Sequence, residues 1–240
     1  MSQQDDLDRP DETSEPSQDV EMFLYACLFE LGIGVLGMLV GWLIGVDVRA
    51  YLPRLDSLEV AVLAKQIAAG VVAAIPMLLM VRMVMMVDHP AISEIKNVGE
   101  SSMMAGLLKL TGPELLVISL CAGVGEELAF RGCLLPAFIQ LTDYLVGSQT
   151  PYQVGGGFAD ASPFAVGLAV AVSSLAFGAV HAITRLYAVM ATLMGVVFGL
   201  LMVFSDSLIV PIVAHAVFDA VQFLQARREL KAEDGQAASE

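Results

Sequence analysis

Ionisable side chains lie where a hydrocarbon-rich chain should have none. Glu126, Glu127 and Arg131 fall inside the run PELLVISLCAGVGEELAFRGCLLPAF, His181 sits in FGAVHAITR, and His215 and Asp219 lie in LIVPIVAHAVFDAVQF. At the centre of a membrane helix each charge costs about 2.5–3.5 kcal/mol, whereas an apolar residue returns only about 0.3–0.6 kcal/mol. The two glutamates and the arginine together cost roughly 9 kcal/mol, enough to cancel about fifteen to thirty apolar residues. Facing lipid, such a helix is marginal. Its charges must face a bundle interior or water, where intramembrane ionisable groups usually mark function.

Spacing divides the labour. Glu127 and Arg131 are i, i+4 with the acid N-terminal, so they share a face and can pair. Glu126 points about 100° away from Glu127. It is left without the arginine and free to act on something else, as a general base must be. A structural network joining helices is an equal reading of the Glu127–Arg131 pair. His215 and Asp219 are also i, i+4 and project from one face. His181 follows Phe177 by four residues, with Gly178 leaving room beside it. Alone, each histidine is more often a hydrogen-bonded core residue; together with two glutamates they suit hydrolysis by an activated water, with or without a metal. His89 precedes Pro90 in a loop and needs no special role.

These residues require helices to carry them. The chain is 57% hydrophobic, with mean hydropathy +0.73. Hydropathy gives apolar segments at about 22–45, 60–87, 114–142, 164–183, 186–204 and 207–226, each near the length of about 20 residues that crosses the hydrocarbon core. The expected fold is all-α, a polytopic transmembrane helix bundle of about six spans. One membrane domain occupies 20–226, between a disordered acidic tail at 1–19 and a polar C-terminal tail at 227–240. The stretch 88–112 holds an amphipathic, interfacial piece around Met103 to Leu110. Residues 147–163 read as a polar loop, and Thr184-Arg185 as the tip of a hairpin between segments four and five. Gly32, Gly34, Gly37, Gly41 and Gly45 give segment one a face for close helix packing.

Much of the net charge of −14 sits in the tails. No basic patch calls for nucleic acid. The acidic N-terminus is unlike a signal peptide, so the first apolar run is expected to stay as an anchor. Arg9, Arg82, Lys96, Lys109, Arg185, Arg227, Arg228 and Lys231 collect on the side of the termini, against Arg49, Arg54 and Lys65 opposite. The positive-inside rule then places both termini in the cytoplasm, with the plasma (inner) membrane as the expected location. Cys27, Cys121 and Cys133 form no CxxC and read as small apolar residues.

The three polar stretches resemble one family. GEELAFRG resembles the EExxxR motif of the CPBP family, the type II CAAX prenyl protease and bacteriocin-processing (Abi) proteins. FGAVH resembles its FxxxH motif and HAVFD its HxxxN/D motif, in the family's order, over about residues 110–226. The resemblance implies an intramembrane endopeptidase of the metalloprotease type. Glu126 would activate water, Glu127 and Arg131 would order the site, and His181 and His215 would hold the water or a metal. Asp219 takes the third motif's last position, where Asn is common; an ionised Asp cannot donate a hydrogen bond. It is then protonated, orients His215, or approaches a metal. Zinc is the metal left open, with His181, His215 and Glu126 as its ligands; there is no HExxH pair. The implied partners are the lipid bilayer and a membrane-associated or lipidated peptide or protein substrate. A proton-coupled transporter or a non-catalytic membrane scaffold would use the same groups. The first of these favours inverted repeats with broken helices, and no such symmetry is visible.

Overall fold

The computed structural model describes residues 18–54, 56, 59–99 and 102–237. The expected acidic tail falls outside these residues up to position 17. The described elements are helical: α1 (Gln18–Ile44), α2 (Val60–Met85), α3 (Pro90–Gly99), α4 (Ser102–Lys109), α5 (Gly112–Glu127), a π-helical segment (Leu128–Leu134), α6 (Leu135–Val146), α7 (Pro163–Val180), α8 (Arg185–Ser205) and α9 (Ile209–Ala237). Of these α1, α2, α7, α8 and α9 are long and apolar enough to cross a membrane. The sixth span is the composite of α5, the π segment and α6, which carries the three buried charges. The protein is an all-helical integral membrane bundle.

Local chemistry sets the helix ends. Thr111 and Glu114 form a reciprocal capping box at the start of α5, with Glu114 Oε2 accepting from the Thr111 amide at 2.6 Å. Gly147, at φ 65°, closes α6 in the left-handed region that glycine adopts without strain. Thr184 Oγ1 accepts from the Tyr187 amide at 3.1 Å and caps α8.

Three elements depart from the expectation. Segment three is longer than 114–142, and it is not a uniform α-helix. Across Leu128–Leu134 it opens into a wider turn, with the Leu135 amide bonded to the Phe130 carbonyl five residues back. Such wide turns are rare and concentrate at functional sites. Secondly, α9 continues as helix through Ala237 rather than ending near 226. Thirdly, α7 stops at Val180, so His181 caps the helix instead of lying within it.

Close backbone approach assembles the bundle. A Cβ on Gly125 would overlap the Glu30 carbonyl of α1, and one on Gly34 would lie 2.9 Å from Gly125 Cα. On the other flank a Cβ on Gly123 would lie 2.8 Å from the Ile212 carbonyl of α9. Helix α5 is thus wedged between α1 and α9, as small residues permit in lipid. Helix α2 packs on α9, and the α7–α8 hairpin packs on α6 and the π segment. Short α3 touches α8, and α4 reaches α1 and α9.

At the end of the bundle away from the termini, loops are tied into an aromatic knot. The Tyr51 and Tyr152 hydroxyls meet at 2.9 Å, and Phe158 stacks on both rings. Asp143 accepts from the Tyr152 amide at 2.7 Å, and Asp206 from the Phe158 amide at 2.7 Å. Burial pushes both phenols above their ordinary pKa.

Candidate active site

The six singled-out residues converge from separate helices. Glu126 and Glu127 occupy the last turn of α5, Arg131 the π segment, His181 the cap of α7, and His215 and Asp219 one face of α9. Glu127 and Arg131 are fully buried and form the expected pair, with Arg131 Nη1 donating to Glu127 Oε1 at 2.8 Å. Nη2 donates to the Gly195 carbonyl of α8 at 3.0 Å. The guanidinium lies 4.5 Å from the Phe177 ring centroid, 5.1 Å from Phe198 and 5.8 Å from Phe130. An aromatic cage of this kind favours arginine electrostatically.

Glu127 does more than the spacing suggested. Its Oε1 also accepts from His215 Nδ1 at 2.8 Å. That bond fixes the ring, which lies parallel to Phe198 at a centroid distance of 4.7 Å. With Nδ1–H committed, neutral His215 carries its lone pair on Nε2. This nitrogen lies 3.9 Å from Glu126 Oε2 and 3.4 Å from Asp219 Oδ2. His181 repeats the device: Nδ1 donates to the Phe177 carbonyl at 2.8 Å, and Nε2 lies 3.5 Å from Glu126 Oε1. Committing one ring nitrogen in this way sets which nitrogen the other partner meets.

Glu126 is therefore the hub. Its side chain is buried, both histidines turn Nε2 towards it, and Oε2 has no hydrogen-bond partner. An unsatisfied buried carboxylate oxygen asks for an explanation. A water or a substrate group between Glu126 and the imidazoles supplies it.

The donor types suit zinc, since each Nδ1 is held by an oxygen acceptor and each Nε2 is free. Their spacing does not. Among the described residues no three His, Cys, Asp or Glu side chains are grouped as a metal site.

Two residues near the cluster escaped the sequence reading. Glu30 of α1 has Glu126, Asp219, His215 and His181 as charged neighbours, and its Oε2 is buried without a partner. Its signal was a lone carboxylate inside an apolar segment. Tyr187 lies in the first turn of α8, its ring 6.4 Å from that of His181, and its phenol faces the charges of Asp219 and Glu126. No motif marks it.

Residues 109–221 match one family model, described as Type II CAAX prenyl endopeptidase Rce1-like. The match begins at the end of α4 and ends within α9, so it takes in all six site residues but not Glu30. No curated protein and no solved structure is similar enough to match.

Proposed function

From the membership of residues 109–221 in the type II CAAX prenyl endopeptidase-like family, we propose that this protein is an intramembrane endopeptidase that cleaves a membrane-associated or lipidated peptide with a water activated by Glu126. The observation that carries the reading is the unpartnered Oε2 of buried Glu126, with the Nε2 atoms of His181 and His215 at 3.5 and 3.9 Å from its carboxylate.

Glu126 takes a proton from the water as its oxygen bonds to the scissile carbonyl carbon. The tetrahedral anion then collapses, the C–N bond breaks, and Glu126–H returns the proton to the leaving amine. His181 and His215 orient the water through Nε2. Glu127 holds His215 by its Nδ1–H, and Arg131 neutralises the charge of Glu127. Asp219 reaches His215 from the next turn of α9 and orients the same ring.

Substrate class is tested with purified protein in detergent, offered a peptide with a lipidated cysteine near its C-terminus and an unlipidated copy. Cleavage of the first, lost in Glu126→Gln, is the expected result; no cleavage of any membrane-associated peptide sinks the reading.

Both termini are proposed to be cytoplasmic, supported by the Lys/Arg asymmetry. Reporter fusions after residues 50 and 150 should read outside and a fusion after 235 inside. An inside reading at 150 overturns this orientation.

A further inference from the structure

A glutamate-activated water solves half of peptide hydrolysis. The other half is the negative charge on the carbonyl oxygen of the tetrahedral intermediate, which needs a preorganised donor. The groups around Glu126 supply few. Asp219, Glu126 and Glu30 are carboxyls. Both histidine Nδ1 positions are committed, to Phe177 and Glu127. Arg131 is fully buried, with Glu127 and Gly195 as its partners.

Backbone amides nearby are taken as well. The Ala182 amide bonds to the Ala179 carbonyl, the Ile183 amide to the His181 carbonyl at 2.8 Å, and the Tyr187 amide to Thr184 Oγ1. The link between α7 and α8 therefore offers no free N–H in place of the usual pair of backbone donors.

Tyr187 is different. Its backbone is fixed in the capped first turn of α8, and its ring flanks His181, which itself lies against Phe177 at a centroid distance of 4.5 Å. The phenol faces Asp219 and Glu126, yet among the described residues nothing hydrogen-bonds it. It is a neutral donor held beside the general base and otherwise unused. We infer that the Tyr187 hydroxyl is a catalytic residue of this site, donating the hydrogen bond that stabilises the oxyanion of the tetrahedral intermediate. No proton is transferred: the O–H stays on Tyr187 and only its hydrogen bond strengthens as charge develops. The inference rests on the peptidase reading above.

A competing role for a tyrosine near a helix end is an interfacial anchor, where the ring matters more than the hydroxyl. The two separate in one experiment. Wild type, Glu126→Gln, Tyr187→Phe and Tyr187→Trp are purified in detergent, checked by melting curve, and assayed on the same lipidated peptide. Removing one oxyanion donor lowers kcat by about 10²–10³-fold. Tyr187→Phe should show that loss with KM nearly unchanged, and Tyr187→Trp, which keeps an anchor ring, should be equally slow. A peptide whose scissile amide is replaced by a tetrahedral phosphinate should lose affinity for Tyr187→Phe by a comparable factor. Wild-type kcat in either Tyr187 variant overturns the inference and leaves the peptidase reading standing. Full activity in Glu126→Gln, or none in wild type, brings both down together.

Discussion

Two polar knots are buried in this bundle, and they spend their carboxylates differently. In the knot away from the termini, Asp143 and Asp206 each accept a backbone amide at 2.7 Å, and the aromatic rings of Tyr51, Tyr152 and Phe158 stack over them. In the other knot the carboxylates of Glu126, Glu127 and Asp219 face imidazoles instead. Each knot leaves a carboxylate oxygen unbonded, on Asp143 and on Glu126 respectively, so an orphan atom alone does not distinguish them. What stands opposite does. A backbone amide can only hold a chain in place, whereas an imidazole can also orient or exchange a proton.

The comparison is broken most sharply at Glu126. Glu126→Gln should lower turnover by about 10²–10⁴-fold, the usual worth of a general base. Its melting temperature should hold or rise, because a costly buried charge is gone. Peptide cleavage beside a melting curve decides it; a folded, fully active variant refutes the assigned base. One residue along, Glu127→Gln and Arg131→Gln should both lose about 3–5 kcal/mol of stability, since each leaves a buried partner uncompensated. Denaturation in detergent measures this, and the reverse pattern, with Glu127→Gln stable but dead and Glu126→Gln unfolded, would exchange the two roles.

The other knot should answer in stability alone. Asp206→Ala strips the Phe158 amide of its acceptor and should cost about 1–3 kcal/mol. Turnover per folded molecule should stay at the wild-type value; a selective loss of turnover would show that the two knots communicate.

The smallest effect is expected at Asp47, beside the outer knot. Its carboxylate accepts from Arg49 Nε at 2.9 Å and Nη2 at 3.2 Å, and the guanidinium holds its pKa below the ordinary carboxylate range. A depressed carboxylate pKa gives stability that is present above the unfolded pKa and is lost as pH falls through the folded one. The pair is exposed, so Asp47→Asn should change stability by less than about 1 kcal/mol. Melting curves at neutral and acid pH should converge for the two proteins as the pH drops.

Much of this was legible before any coordinates. The cost of Glu126, Glu127 and Arg131 in an apolar segment demanded an interior site. The i, i+4 rule paired Glu127 with Arg131, and the segment-one glycines marked the close face, realised where Gly34 meets Gly125. The rest depends on tertiary contact. The bond from His215 to Glu127 spans two helices distant in sequence, and nothing local encodes it. Tyr187 and Glu30 reach the site through packing, without a motif. The wide turn at Leu128–Leu134 leaves the apolar pattern intact while changing the hydrogen-bond step. The helical end of α9 shows a polar composition that reads as tail yet continues a helix already nucleated upstream.

That wide turn also sets an angular phase. Everything after Leu134 is rotated about the helix axis relative to where an unbroken α-helix from Gly112 would point it. Asp143 of α6 aims at the Tyr152 amide with Glu126 aimed at the imidazoles, because the turn between them supplies the offset. Removing one residue there amounts to turning a dial by about 100°. Either end of the composite helix could keep its alignment after such a change, but not both.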